Sequence, residues 1–565
     1  LKLTKIKDLG KDQRKIINAW SMYDWANSAF STSGTVAIFP VYFVFLFERS
    51  LGSQISIAGL TLSSSGVWSI GIAISALAVA FTSPPLGILA DKFAIKRKLL
   101  IIYCAAGSIF TVLTFFSVYT NSPWAWLLGF FILANIGFNG SFVFYNSFLP
   151  HLAPRELLDD VSSRGYAFGY IGGGLLLLIH LVVIMAAQNT AVEDVMTRAC
   201  LVSIGLWWFG FSLWTFKFLP EPTKPELSNK LTPIEAIKLS ISELRKTFQG
   251  ISHFKPVLLY LLAFLLFNDG IQTILSIAGA YAADTLGVSL IFNMITILLV
   301  QFIAAPGAQL FSLFANQSST KKALMASLII WCIIIILGIG MAPLKPSSHT
   351  DYDYQLHYSQ SDNNYLLESQ PNLSDSLEDT AWDLETHSLS ARSKISENEA
   401  LLLIETVGKS EYSRFSASIL GGPHDGLNSL GTNNKANLDK GPLDWLPRLM
   451  RKSIWEPLNL PINSQFLLLG SLIGLIMGGS QALARSIFAH MTPQNRSGEF
   501  FSFFGFTNKV SSVIGPIMYV IISGTVDTRS AILSIMIIIA LGTLILSRVD
   551  VDSGKRAALL DSNKI

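Results

Sequence analysis

GSQALARSIFAHMTP, residues 479–493, is close to a second copy of a stretch met earlier in the chain, GSFVFYNSFLPHLAP at residues 140–154. Without a gap, Gly140 falls on Gly479, Ser141 on Ser480, Ser147 on Ser486, His151 on His490 and Pro154 on Pro493. Soon afterwards FGY (168–170) answers FGF (504–506). Each copy closes a long apolar run, so what is duplicated is a hairpin of membrane-length segments. A chain whose halves repeat in this way is the sequence form of a carrier built from two bundles.

Composition agrees. The 565 residues are 51% hydrophobic and only 14% charged, with a mean hydropathy of +0.47. Soluble proteins carry roughly 25% charged residues, so this chain is poorly equipped to face water. A formal net charge of +3 gives no reason to expect a nucleic-acid partner. Cys104, Cys200 and Cys332 all lie in apolar runs and share no ligand spacing, so neither a disulfide framework, nor a metal site, nor any other cofactor is expected.

Crossing a hydrocarbon core takes about 20 residues. Runs of that length fall at 17–47, 66–90, 99–119, 124–149, 165–188, 198–219, 256–283, 287–314, 322–343, 463–489, 500–523 and 529–548. They must be helices, because an isolated strand in lipid leaves its backbone groups unpaired. The expected fold is an all-α membrane protein, twelve spans in two pseudo-symmetric bundles, 17–219 and 256–343 with 463–548. Lys92, Lys96, Arg97 and Lys98 follow span 2, and Lys321 and Lys322 follow span 8. These basic loops lie on one side with the Lys-rich arm 1–16 and the tail 549–565. The excess of Lys and Arg puts that side in the cytosol. No small-residue cleavage site follows the first span, so a cleaved signal peptide is not expected.

Two polar segments interrupt the pattern. Residues 220–255 form a cytosolic linker. Within it TPIEAIKLSISELRKTFQG has Thr232 and Glu235 as a capping box, Pro233 at the first helical position, and Ile234, Ile237, Ile241, Leu244 and Phe248 on one face. That predicts an amphipathic helix joining the halves. Residues 344–462 are acidic and rich in Ser and Asn without a sustained apolar period, which predicts a disordered insertion. Span parity puts it on the non-cytosolic side, where Asn372-Leu373-Ser374 is a glycosylation sequon. ENEALL and DNNYLL look like cytosolic sorting signals, which that sidedness makes accidental.

Sliding span 1 onto span 7 sets YDWANS against NDGIQT, so Asp24 falls on Asp269, Asn27 on Gln272 and Ser28 on Thr273. Acid and amide are three residues apart, on one helical face. A charge at the bilayer centre costs about 2.5–3.5 kcal/mol on the insertion scale. Two repeated acids therefore argue for a watery cleft between the bundles. Asn146 of span 4 corresponds to Arg485 of span 10, whose guanidinium fork could hold a carboxylate at two points. A zwitterion needs such a group and a carboxylate for its ammonium. The expected substrate site is Asp24, Asn27, Ser28, Asn146, Asp269, Gln272, Thr273 and Arg485. Either Asp could instead carry a coupling proton. His180 and Lys509 are further polar groups inside spans; a lone His there reads as a hydrogen-bonded core residue.

GILADKFAIKRK, residues 87–98, resembles the loop between spans 2 and 3 of the major facilitator superfamily: Gly87, Leu89, Ala90, Asp91 and Lys92 fit, and Ala94 replaces the usual second Gly. The resemblance implies a gating role for Gly87, Asp91, Lys92 and Arg97, with Arg164 as a candidate partner. At the equivalent point PGAQLFSLF keeps Gly307 but has no acid. YDWANSAF, YNSFLPHLAP, SSRGYAFGY and GEFFSFFGFTNKVSSVIGP are similar to the branch that holds the autophagy-related vacuolar amino-acid effluxers of fungi and their bacterial relatives. That resemblance covers all spans but not 344–462. It implies a monomeric carrier in the vacuolar membrane, or the plasma membrane of a prokaryote, that releases neutral amino acids such as leucine to the cytosol. A carrier of another small solute, and a sensor or scaffold without flux, are the other readings. No His-Glu-x-x-His run, phosphate loop or Gly-x-Ser-x-Gly elbow is present, so an enzyme is not expected.

Overall fold

The computed structural model describes residues 6–222 and 255–562, apart from positions 52–53, 58–59, 189, 285, 287, 289, 342–345, 347, 361–362, 372, 374–376, 387–391, 433, 435, 437–440, 512–513 and 527. The expected linker helix at 232–250 and the sequon at Asn372 lie outside the described residues.

The first half holds α1 (Lys11–Leu51), α2 (Ser64–Lys92), α3 (Lys96–Leu113), α4 (Pro123–Leu152), α5 (Arg155–Ala187) and α6 (Glu193–Phe218). The second holds α7 (Lys255–Asp284), α8 (Leu290–Gln317), α9 (Thr320–Ile339), α10 (Ile462–His490), α11 (Ser497–Val510), α12 (Ile514–Thr525) and α13 (Thr528–Ser547). Among the described residues, eleven helices are long and apolar enough to cross a membrane. The remaining expected span, 500–523, is divided into α11 and α12. Pro516 stands in the first turn of α12, where its missing N–H costs nothing. α1 begins at Lys11, so the later part of the basic arm is already helical, and Phe30–Ile38 within it is π-helical. Such widened turns are frequent at functional sites.

The duplicated stretches adopt one conformation. Pro154 (φ −52°, ψ 151°) and Pro493 (φ −63°, ψ 136°) each end a helix, and single 3-10 turns, Arg155–Leu157 and Gln494–Arg496, follow them. The next helix then starts at once in both copies. A hairpin, β1 (Gln54–Ile57) and β2 (Leu60–Ser63), joins α1 to α2.

The insertion is the main departure from the sequence reading, because it is folded. β3 (Tyr354–Ser359), β4 (Asn364–Ser369), β5 (Lys394–Ile395), β6 (Ser416–Leu420) and β7 (Asn428–Leu430) form one sheet in the order β5-β4-β3-β6-β7, with β3 and β6 parallel. The sheet and the helices Leu377–Glu385 and Glu397–Lys409 enclose a core of their own that includes Tyr354, Leu356, Tyr365, Leu367, Trp382, Leu403, Phe415 and Ile419. Buried Asp379 takes a two-point bond from Arg414, at 3.0 and 2.8 Å. Alternation is present in the sequence, but each strand shows it over at most six residues, too short to stand out from the polar background. DNNYLL runs into β4, where Leu367 is core, and ENEALL opens a capped helix with Ser396 and Glu399 as its capping box. After the sheet the chain returns to the bundle: the Trp455 indole donates to Gly340 O, and Arg529 pairs with Asp444.

Candidate functional site

A cavity of about 330 Å3 lies between the halves and is lined from both. Asp24, Asn27 and Ser28 reach it from α1, Asn146 from α4, and Gln272 from α7. Aromatic rings form much of the rest, among them Phe142, Tyr166, Phe264 and Phe504. Asp24 is buried, and its Oδ2 accepts from the Tyr145 hydroxyl at 2.7 Å and from Arg485 Nη1 at 3.4 Å. Behind Asp24, Tyr145 stacks on Trp20 at 4.5 Å, and the Trp20 indole donates to Tyr145 O. Gly165 in SSRGYAFGY has to be small, since a Cβ there would lie 2.7 Å from Asp24 Oδ2 and 3.0 Å from Arg485 Nη2.

Arg485 is not among the residues lining the cavity. Its fork is consumed by the opposite half: Nε donates to Ser162 Oγ at 2.9 Å, Nη2 to Ser162 O at 2.7 Å and Nη1 to Asn146 Oδ1 at 3.1 Å. Tyr166 and Trp20 cover its faces at 4.1 and 4.9 Å. Asp269 and Thr273 are not in the lining either. They face α12, where a Cβ on Gly515 would meet Thr273 Oγ1 at 2.2 Å and Asp269 Oδ2 at 3.0 Å. Of the two repeated acids, then, Asp24 faces the cavity and Asp269 an interhelical seam. His180 sits between Ser33 and Ser203, at 2.5 and 2.6 Å, as a hydrogen-bonded core residue.

The basic end is shut by bonds between the halves. Asp91, at the end of α2, accepts from Gly498 N and Glu499 N at 3.0 and 2.8 Å, capping the N-terminus of α11. Its ion-pair partner is Lys96 at 2.7 Å, not the expected Arg164, and Lys96 also donates to Ser497 Oγ at 2.9 Å. Arg164 lies over the Phe168 ring instead. Arg97 binds Phe216 O within its own half, and Glu221 caps the start of α3 through Lys96 N and Arg97 N. Burial holds the Glu221 carboxyl above its ordinary range against those two bonds. Gly87 backs onto Gly498, and a Cβ on it would stand 2.5 Å from Gly498 O.

The pseudo-symmetric counterpart was not visible in the sequence. PGAQLFSLF lacks an acid because the acids stand on the other helix. Asp159 accepts from Thr320 Oγ1 at 2.7 Å, bonds Ser486 and lies 3.5 Å from His490 Nε2, while Asp160 accepts from Ser312 at 2.5 Å and Asn316 at 2.9 Å. The duplicated histidines act alike: His490 meets the start of α5, and His151 meets Ser497 at the start of α11 at 3.0 Å. Arg155 bonds His490 O, and Gln494, at the matching position, donates to Pro150 O at 2.8 Å. The repeat of His151 and His490 was the available signal for this pair of contacts.

The Atg22-like vacuole effluxer model matches residues 12–347 and 453–559. The chain belongs to that family. The interval it leaves unmatched is close to the folded insertion. Among relatives of the Atg22-like chain, an uncharacterized MFS-type transporter of Bacillus subtilis, YxiO, is 30% identical over 57% of this chain and 73% of its own length. Autophagy-related protein 22-1 of Aspergillus niger is 23% identical over 91% of this chain and 76% of its own. Among solved structures the proton:xylose symporter XylE aligns with a TM-score of 0.57 at 11% identity, over 95% and 96% of the two chains. A bacterial homologue of the iron transporter ferroportin, in an outward-facing state, aligns at 0.54 and 11%, over 96% and 99%. These likenesses give the major facilitator fold. The Atg22-like chain is a multi-pass membrane protein and a secondary transporter, not an enzyme.

Proposed function

We propose that the protein releases neutral amino acids, such as leucine, from the vacuole lumen to the cytosol by alternating access. The observation that carries this reading is the one-sidedness of the seam. The hydrogen bonds and ion pairs named above between the halves run from the basic end inward, and the series reaches Tyr170 and Gln481, which meet at 2.7 Å beside the cavity. Basic loops mark the cytosol, so the conformation is the one closed toward the cytosol. The folded insertion then lies on the lumenal side.

The cavity suits a small amphiphile. Asn27, Ser28, Asn146 and Gln272 offer hydrogen bonds, Asp24 a carboxylate, and the rings an apolar wall, as small-molecule sites generally do. Arg485, Asp91 and Gly87 belong to the gate. Asp24, which lines the cavity and also pairs with the gate's Arg485, is the acid to carry a coupling proton. Counterflow in proteoliposomes, with labelled leucine against a panel of amino acids, tests the reading. Exchange with neutral amino acids is expected; exchange with sugars but no amino acid refutes it. A pH gradient that leaves flux unchanged removes the proton from the account.

A further inference from the structure

Lys509 lines the same cavity from α11, on the second half, and among the described residues no ion pair or hydrogen bond engages its ammonium. Two buried cations of the gate are answered by acids: Arg485 by Asp24, with Asn146 and Ser162, and Lys96 by Asp91. Asp24, the cavity's carboxylate, already balances Arg485 and accepts from Tyr145. The cavity therefore carries one cation whose counter-charge the described protein does not supply. An ionisable group inside a membrane segment is expensive and marks a ligand pathway. A lysine ammonium is a compact point charge on a flexible stem, suited to one anionic group on a small solute.

We infer that Lys509 is the anchor for the carboxylate of the cargo, the role that the sequence alone suggested for Arg485. This rests on the amino-acid reading above and sharpens it to a requirement for a free carboxylate. The amide oxygens of Asn27, Gln272 and Gln481, with the neighbouring ring faces, take the ammonium, and Phe264 and Phe504 face the apolar side chain. Asn508, next to Lys509, is held by a bond from Asn268 at 2.8 Å, and Asn268 also donates to Ser511 at 2.6 Å. That network fixes the end of α11 just before its break, so the lysine is presented from a braced turn.

The test uses the full chain with K509Q and K509R, in two measurements. In proteoliposome counterflow, K509Q is expected to raise the KM for leucine about 10- to 100-fold, the span of a lost charge-assisted bond, and K509R to recover most of it. In detergent, the melting temperature is followed with three probes of one size: leucine, 4-methylpentanoate, which lacks the amine, and leucinamide, which lacks the carboxylate. Wild type is expected to be stabilised by leucine and by 4-methylpentanoate but not by leucinamide, and K509Q by none of them. Stabilisation of wild type by 4-methylpentanoate alone, lost in K509Q, would keep the anchor and sink the amino-acid reading. Equal responses to leucine and leucinamide, no response to either carboxylate, or an unchanged KM in K509Q would overturn the anchor.

Discussion

Asp24→Asn should open the cytosolic gate. The substitution keeps the shape of the side chain and removes its charge. In the closed state Arg485 would then be buried, 1% exposed, without the carboxylate it pairs with. Removing one partner of a buried pair costs about 3–5 kcal/mol. Part of that is recovered here, because Ser162 and Asn146 still accept from the guanidinium. A net penalty of about 2–3 kcal/mol on the closed state is a shift of about 30- to 150-fold toward the state in which the halves separate and water reaches Arg485. Spin labels at K98C and K322C, both exposed and on opposite halves, report it by double electron–electron resonance in a background freed of Cys104, Cys200 and Cys332. Wild type should give a short distance and D24N a longer one. Removing both charges, in D24N with R485M, should return most of the population to the short distance, since a neutral pair carries no buried charge. A distance distribution that is the same in wild type and D24N would refute the account of Arg485 as a latch between the halves.

Gly498→Ala should act on the same equilibrium by sterics: its Cβ would lie 2.8 Å from Gly87 O and 3.0 Å from Asp91 Oδ1, and overpacking of about 1–3 kcal/mol should lengthen the same label distance. Asp159→Asn, which removes the negative charge facing His490 and replaces with a donor one of the two oxygens that accept from Ser486 and Thr320, should open the gate in the second seam, and the same labels should show it without loss of folded protein in size-exclusion chromatography. Arg414→Ala should destabilise the insertion alone by about 1.5–3 kcal/mol, the worth of bonds to a charged group. Limited proteolysis should then cut within residues 348–436 while counterflow is unchanged.

The membrane architecture was legible because its signal is long. Each span is a run of about 20 residues and the duplication preserves whole motifs, so hydropathy and self-comparison both find it. Asp24, Asn27, Ser28, Asn146 and Gln272 fall at the cavity because helical spacing puts them on the inward face. Asp269 carries the same local motif and ends elsewhere. Sequence spacing fixes the face of α7, but what that face meets depends on the break that brings Gly515 of α12 against it. Arg485 was legible as a buried cation, not as one already committed to Ser162 of the other half, a contact between residues 323 positions apart. The insertion failed for the opposite reason: its strands are short, its core includes only a few residues from each, and the fold is made by pairing β3 with β6 across about sixty residues.

The two seams use one idea with its parts exchanged. In the first, an acid at the end of α2 accepts from the N-terminus of α11. In the second, acids at the N-terminus of α5 accept from hydroxyls and an amide on α8 and α9. Each partner is one that water can replace when the halves part, so the net worth of each bond is about 1–3 kcal/mol rather than its gross strength. A gate made of apolar contacts would pay for exposed surface on opening and would favour closure strongly. A gate of exchangeable bonds leaves the two states close in energy, and then the differential binding of one small solute is enough to tip them. Hence the loss of a single strong member, Asp24 or Asp159, should move the equilibrium measurably, whereas trimming a peripheral contact such as Gln494 to Pro150 O should not. Q494A giving as large a shift in label distance as D24N would contradict that ranking.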